Sequence, residues 1–476
     1  MPRLFNQPIL QPILQPIRSD PGRTQRAVPK HGPGRHPGWG RTLARATLAL
    51  GLAAGPSQGA LAAEKARKPA DERPSYTAAQ ALTARPEGLP ASVRIPGDDA
   101  TAFQALIDGA ARASDPWLVL SGGGENGAFA AGLLAGWSQR GDRPDFGVIT
   151  GVSTGALIAP FAFVAPALGA RADAALKENY TEISAADVFE FGATRDSLTD
   201  TWPLKERIAR MVTPDLLKAV AAEHAKGRRL LIATTQVDSE RPVLWDMGAI
   251  AARSAATGDP RALALFRAIV LASTAVPGVF PPVAIPAEPQ DGAKDSAKNG
   301  AKDGAKDAAK GEGKGEARAK PFEELHDDGG AMAPFYLAPA AALEGETRLH
   351  LPTNRVYLVV NNRLEPEFQM ASRTTLSVLG RTMSAAIKAQ TRAALALTKA
   401  YAGRTGLDLR VALIDERFTK TSDRPFDQGY MRALFAHGEA LAREGSAFTQ
   451  AHPPAAAAGR ENRRASEPAG AVTASR

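Results

Sequence analysis

The chain has 476 residues, of which 44% are hydrophobic, an ordinary share for a globular protein with room for one large domain or two. Its formal net charge of +8 suits an anionic surface such as phospholipid, or else belongs to basic tails. Because there is no cysteine, disulfides, thiol catalysis and thiolate metal sites are excluded. The seven histidines form no H-E-x-x-H pair, so we expect no metal site.

The N-terminal region has the order of features typical of a secretory signal peptide. Arg41 and Arg45 precede an apolar run that ends in the small-residue stretch Ala-Leu-Ala at positions 60–62. We interpret residues 1–62 as a signal peptide with a long basic N-region, and residues 63–114 as a linker and the start of the ordered region. A disordered, Ala-rich tail is the alternative. The prediction is an exported protein, periplasmic or secreted, with or without membrane association.

Residues 115–415 alternate between apolar runs of strand length and helical stretches, a pattern that indicates an α/β fold. The predicted strands are residues 117–120, 146–150, 229–238, 242–247, 355–362 and 409–415. The predicted helices include residues 127–140, 154–164, 260–273 and 375–402.

The insertion at residues 292–320 and the C-terminal tail from residue 448 largely lack the apolar side chains of a core. Residues 292–320 form a low-complexity insertion of Lys, Ala, Gly and Asp, which we expect to be a solvated surface segment. A loop that touches a membrane or gates the site is the alternative. Residues 416–447 are predicted to be a C-terminal helical extension, and residues 448–476 a disordered tail.

The strongest chemical signal is the G-x-S-x-G motif formed by Gly151, Ser153 and Gly155. A predicted strand leads into it and a predicted helix leads out, which is the context of a nucleophile elbow. The glycines permit close backbone packing, and the helix start favours a developing oxyanion. Ser153 is therefore the candidate nucleophile.

A glycine-rich loop lies one strand earlier, with Gly122, Gly123, Gly124 and Gly127. Its G-x-G-x-x-G pattern is also found in dinucleotide-binding folds, but those require an acidic residue at the end of the following strand, and the elbow stands there instead. No lysine of an ATP-binding loop follows the glycines. Backbone N–H groups of this loop are better suited to an oxyanion hole.

The candidate base is Asp328, which precedes Gly329 and Gly330 at the end of a short predicted strand. Asp327 is the alternative, although adjacent strand residues point to opposite faces of a sheet. A Ser-His-Asp triad is a further alternative, because His350 and His437 follow Asp328 in the order found in α/β-hydrolases.

These three motifs, "GGGENG", "GVSTG" and "DGG", occur in the order that resembles the patatin-like phospholipase family, and "ASTAVPGVFPPV" at positions 272–283 resembles a further family segment. The resemblance covers roughly residues 115–415. It implies a three-layer α/β sandwich with a mainly parallel central sheet, and a serine acyl hydrolase of phospholipids or lysophospholipids that uses no cofactor. By resemblance the site consists of the nucleophile Ser153, the base Asp328, and the oxyanion loop of Gly122, Gly123, Gly124 and Gly127.

The chain departs from the family pattern at Asn126, where the family usually has arginine or lysine, and in the insertion that lies between the elbow and Asp328. We expect the insertion to loop out without moving Asp328. The expected partner is a lipid ester substrate at a membrane surface contacted transiently, and nucleic acid is not expected. A general carboxylesterase without lipid preference, and a non-catalytic surface protein on a hydrolase fold, remain alternatives.

Overall fold

The computed structural model describes residues 73–192, 194–289, 321–368, 370–422 and 424–451. The predicted signal peptide, the insertion at 292–320 and the predicted tail from residue 452 onward lie outside these ranges. Residues 449 and 450, at the start of that predicted tail, form a short strand, so the ordered region extends beyond the predicted boundary.

The strands of the described residues are β1 (Ala84–Pro86), β2 (Arg94–Pro96), β3 (Trp117–Leu120), β4 (Val148–Gly151), β5 (Glu190–Phe191), β6 (Thr199–Asp200), β7 (Arg229–Gln236), β8 (Arg241–Asp246), β9 (Val283–Pro289), β10 (Phe322–Asp328), β11 (Arg355–Val360), β12 (Asp408–Leu413) and β13 (Thr449–Gln450).

The α-helices of the same ranges are α1 (Ala78–Thr83), α2 (Ala100–Asp108), α3 (Gly127–Arg140), α4 (Thr154–Leu168), α5 (Ala170–Thr181), α6 (Trp202–Met211), α7 (Pro214–Ala225), α8 (Met247–Thr257), α9 (Pro260–Ser273), α10 (Ala340–Glu344), α11 (Thr375–Thr405) and α12 (Gln428–Glu444).

The main sheet has the order β1-β9-β10-β7-β4-β3-β11-β12-β13, with β8 also paired to β7 and β2 paired to β8. Its centre is parallel, because β7, β4, β3, β11 and β12 all run in one direction. The antiparallel strands are confined to the margins. The carboxyl ends of the central strands therefore share one edge, which we call the catalytic edge.

Helices cover both faces of this sheet and make three layers. Leu118 and Leu120 face a core shared with α3, α4, α9 and α12. Trp117 and Val119 point to the opposite face, into a core shared with α2, α10 and α11. Burial on both faces explains why the central strands are continuous apolar runs rather than alternating ones. The predicted α/β sandwich with a mainly parallel central sheet is confirmed.

Helix α12, within the predicted C-terminal extension, packs directly on α3 at the middle of one layer. A Cβ at Gly132 of α3 would lie 2.0 Å from the carbonyl oxygen of Phe435, and a Cβ at Gly438 of α12 would lie 2.3 Å from that of Phe129. Glycine at both positions lets the two backbones approach closely. The C-terminal helix is thus an integral part of the layer that carries the glycine-rich loop.

Candidate active site

Ser153 occupies a tight turn between β4 and α4. Its backbone has φ 55° and ψ −124°, a conformation that non-glycine residues adopt only where the surroundings enforce it. A Cβ at Gly151 would lie 2.5 Å from the carbonyl oxygen of Gly155, and a Cβ at Gly155 would lie 2.5 Å from that of Leu120. Both motif glycines are therefore required by close backbone contact, and the turn has the geometry of a nucleophile elbow.

The structure brings Ser153 and Asp328 together, although they lie 175 positions apart in the chain. Ser153 Oγ donates to Asp328 Oδ2 at 2.6 Å, and the Gly330 N–H donates to Asp328 Oδ1 at 2.7 Å. Asp328 is the last residue of β10, which pairs with β7, the neighbour of β4. A Cβ at Gly329 would lie 2.4 Å from the carbonyl oxygen of Ala233, so this glycine keeps the aspartate turn against the sheet.

The described residues on either side of the insertion lie far from this pair. The insertion joins β9 to the first residue of β10, whereas Asp328 is the last residue of β10. Six steps along this seven-residue strand place the two ends of β10 roughly 20 Å apart. The antiparallel pairing of Phe322 with Ala287 closes the strand pair beside the insertion.

Burial changes the acid–base properties of both aspartates. It raises the pKa of Asp328 to about 7; the hydrogen bonds from Ser153 and Gly330 oppose this shift, and the nearby charge of Asp327 adds to it. Burial also raises the pKa of Asp327 to about 6. A carboxylate with a pKa near 7 accepts a proton far more readily than an exposed aspartate does.

The glycine-rich loop lies against Ser153. A Cβ at Gly122 would lie 3.1 Å from the Cβ of Ser153, and a Cβ at Gly127 would lie 2.1 Å from Thr154 Oγ1. A Cβ at Gly123 would lie 2.2 Å from the carbonyl oxygen of Asn361, on the strand side of the loop. Gly124 has φ 57°, in the left-handed region that favours glycine.

The N–H groups of this loop differ in what they bind. Gly122 donates its N–H to the carbonyl oxygen of Pro334 at 2.9 Å. The N–H groups of Gly123 and Gly124 make no hydrogen bond with any part of the chain that the structure describes. These two donors are therefore the ones available to an oxyanion, whereas Gly122 contributes the close approach to Ser153.

Two residues of the loop are tied to the C-terminal segment. Asn126 Oδ1 accepts a hydrogen bond from the hydroxyl of Tyr430 in α12 at 2.7 Å. The carboxylate of Glu125 accepts one from the backbone N–H of Phe426, and burial raises the pKa of Glu125. Asn126, the departure from the family pattern, thus anchors the loop through a neutral hydrogen bond.

Ser273 is a site residue that the motifs did not identify. Its hydroxyl accepts the N–H of Ser153 at 3.0 Å and donates to the carbonyl oxygen of Ala233 at 2.7 Å, which braces the strained turn against β7. The only sequence signal was its position in the segment 272–283 that resembles the family.

The histidines considered as triad members bind elsewhere. His437 Nε2 lies 3.1 Å from Asp415 Oδ1, and His350 is exposed in a loop. His326 is fully buried, with Nδ1 3.0 Å from Thr234 Oγ1 and Nε2 paired with Glu324. Within the described ranges, neither Ser153 nor Asp328 has a hydrogen bond to a histidine. The geometry favours Asp328 as the direct partner of the serine.

An open cleft of about 370 Å³ lies at the opposite edge of the sheet, between the ends of α3 and α4, and includes neither Ser153 nor Asp328. Across the described residues, no group of three or more His, Asp or Glu side chains is arranged to hold a metal ion. None of the helices described is both long and apolar enough to cross a membrane.

One comparison with known proteins covers the three motifs. A family model described as patatin-like phospholipase matches residues 118–336, which span the loop, the elbow and the aspartate turn. The stretch that carries the three motifs therefore matches a patatin-like phospholipase domain, and this match covers less than half of the chain. No curated protein matches the chain. Among solved structures it is similar to VipD from Legionella pneumophila, with 11% identity and a TM-score of 0.32, over 70% of this chain and 67% of that chain.

Proposed function

We propose that this protein is a serine acyl hydrolase that cleaves carboxylic esters of phospholipids or lysophospholipids. The observation that carries the proposal is the 2.6 Å hydrogen bond from Ser153 Oγ to Asp328 Oδ2, at a strained elbow and within a patatin-like phospholipase domain. Ser153 is the nucleophile and Asp328 the base.

The reaction has two steps. Asp328 takes the proton of Ser153 as Oγ attacks the ester carbonyl carbon, and the carbonyl oxygen becomes an oxyanion. The Asp328 proton then passes to the leaving alcohol oxygen as the ester bond breaks, which leaves an acyl group on Ser153. Water attacks this acyl group, gives its proton to Asp328, and Ser153 recovers a proton as the carboxylic acid leaves.

The oxyanion is stabilised by the N–H groups of Gly123 and Gly124, which have no other partner in the described structure. Each such donor typically contributes about 3 kcal/mol to the transition state. The buried environment of Asp328 assists the first step, because proton transfer from Ser153 neutralises a carboxylate that is poorly solvated.

The decisive test compares purified wild type with Ser153→Ala and Asp328→Asn on a short-chain ester and on a lysophospholipid. We expect each substitution to lower kcat by about a thousandfold or more, as loss of a nucleophile or its base does in serine hydrolases. His437→Ala and His350→Ala serve as controls and should retain activity. Full activity in Ser153→Ala would refute the assignment, and loss of activity in His437→Ala would support a triad.

Two further measurements separate the alternatives. An activity optimum at short acyl chains across a series of model esters would indicate a general carboxylesterase. Failure of a fluorophosphonate to label Ser153 in the folded protein would indicate a non-catalytic surface protein. Labelling together with a preference for long chains supports a lipid substrate.

We also propose that the protein is exported, on the basis of the signal-like order of charges and apolar residues in segment 1–62. Cell fractionation and the N-terminal mass of the mature protein test this proposal. Recovery of the intact chain only in the cytosol would contradict it.

A further inference from the structure

Three large apolar side chains are exposed around the first turns of α11. Phe368 is 95% exposed and Met370 is 84% exposed, and Val378 is also exposed. We call these three residues the apolar tip. Soluble proteins bury such side chains unless the patch contacts something else.

The apolar tip lies at the catalytic edge. Helix α11 joins the parallel strands β11 and β12, so it runs against them and begins at the edge where these strands end. Just after β11, the amide of Asn362 is 3.4 Å from the carbonyl oxygen of Gly122 in the oxyanion loop. Further along α11, Gln390 contacts the carbonyl oxygen of Met332, four residues after Asp328.

The tip projects beyond the catalytic pair. Twelve residues of helix separate Val378 from Gln390, which corresponds to roughly 18 Å along the axis. In this first part of α11, none of the residues 377–387 is fully buried. The helix therefore extends past the body of the domain on the side from which a substrate must approach Ser153.

The base of the tip is cationic. Residues 363–392 contain five basic side chains, Arg363, Arg373, Arg381, Lys388 and Arg392, and two acidic ones, Glu365 and Glu367. Glu367 pairs with Arg363 and with the largely buried Lys388, and the segment as a whole has an excess of three positive charges. Exposed apolar side chains beside an excess of Arg and Lys have the arrangement with which a protein enters the interface of an anionic bilayer.

We propose that the apolar tip inserts into the surface of an anionic phospholipid bilayer and thereby positions the catalytic edge on that surface. This inference rests on the proposed lipid hydrolase function, since it names the surface from which Ser153 would take its substrate. A second copy of this chain is a poorer occupant, because two such tips would bring like charges together.

The binding experiment uses the full chain with Ser153→Ala, which leaves the vesicles unhydrolysed. Co-flotation is measured with vesicles of phosphatidylcholine alone and of phosphatidylcholine with 30% phosphatidylglycerol. We expect binding to the anionic vesicles, weakened by salt, and at least a tenfold loss of partitioning in Phe368→Ser with Met370→Ser. Leu82→Ser is the control, because Leu82 is also apolar and exposed but belongs to α1, beside β1 at the far end of the strand order.

A second experiment measures the activity of the Phe368→Ser, Met370→Ser double variant in protein that retains Ser153, and it separates the two proposals. We expect unchanged hydrolysis of a soluble short-chain ester and at least fivefold slower hydrolysis of vesicle phospholipid. If wild type does not hydrolyse the soluble ester, the proposed function is refuted, and the vesicle-binding measurement alone then tests the proposal for the apolar tip. Equal vesicle binding by the parent protein and the double variant would overturn the proposal that the apolar tip inserts into the bilayer. A concentration-dependent dimer that the double variant abolishes would overturn it as well.

Discussion

Replacing Asp328 with asparagine should stabilise the protein above neutral pH, at the same time as it abolishes turnover. Burial raises the pKa of Asp328 to about 7 in the folded state, whereas an aspartate in the unfolded chain has a pKa near 3.9. The folded form therefore holds this proton more tightly. Below about pH 4 the raised pKa contributes its full stability, and that contribution is lost as the pH rises to about 7.

The magnitude follows from this difference of about three pKa units. The wild-type free energy of unfolding should fall by about 1.4 kcal/mol per pH unit in that window, or about 4 kcal/mol in total from this one group. Asp328→Asn removes the ionisation and keeps an oxygen that accepts the Ser153 hydroxyl. The stability of the variant relative to wild type should therefore increase between pH 4 and pH 7 and stay constant above it.

Urea unfolding of both proteins at half-unit steps from pH 4.5 to 8.5 measures this difference. Asp327→Asn is the matched control, because Asp327 is half-buried with a pKa of about 6, so its effect should be smaller and complete at lower pH. In wild type, kcat/KM for a soluble ester should rise with pH through an apparent pKa of about 7, since only the carboxylate accepts the serine proton. Parallel stability curves for Asp328→Asn and wild type would refute the burial argument.

Two further predictions concern the contacts of α12. Tyr430→Phe removes the hydrogen bond to Asn126 and should lower kcat with little change in KM, because the glycine-rich loop is proposed to bind the oxyanion of the transition state. An equal change in both constants would contradict this role. Gly132→Ala should destabilise the protein by about 1–3 kcal/mol, because the added methyl group meets the backbone of α12. Gly380→Ala, in an open stretch of α11, should instead stabilise the protein by about 0.5–1 kcal/mol. The comparison of the two melting temperatures tests the close packing.

The sequence predicted the buried centre of the fold well. The predicted helices at 127–140 and 260–273 match α3 and α9 at both ends, and the six predicted strands match β3, β4, β7, β8, β11 and β12 within two residues. These elements are long or uniformly apolar, because both faces of the sheet are covered. The marginal strands β1, β2 and β9 were missed, since they are short or mixed in polarity and are stabilised by pairing with strands distant in sequence.

The site was predictable where its chemistry depends on local sequence. The elbow glycines and Gly329 are required by close backbone contacts, so the pattern of glycines is visible in the chain even where, as for Gly329 and Ala233, the contact lies on a distant strand. The contacts of Glu125 and Asn126 with Phe426 and Tyr430 join residues that lie about 300 positions apart, and no local pattern indicates them. The same holds for Ser273, whose hydroxyl accepts a hydrogen bond from the N–H of Ser153, 120 residues earlier.

The strand that carries the candidate base shows why such distant contacts matter for the site. Glu324, His326 and Asp328 alternate along β10 and are all buried, so they share one face. The carboxylate of Glu324 is bound by Arg94 of β2, at 2.8 Å and 3.0 Å, and by His326. A buried carboxylate is tolerated only with such partners, and removing one typically costs about 3–5 kcal/mol. Arg94 precedes all three motifs in the chain, so the strand that presents Asp328 is held by a residue that the motifs do not include.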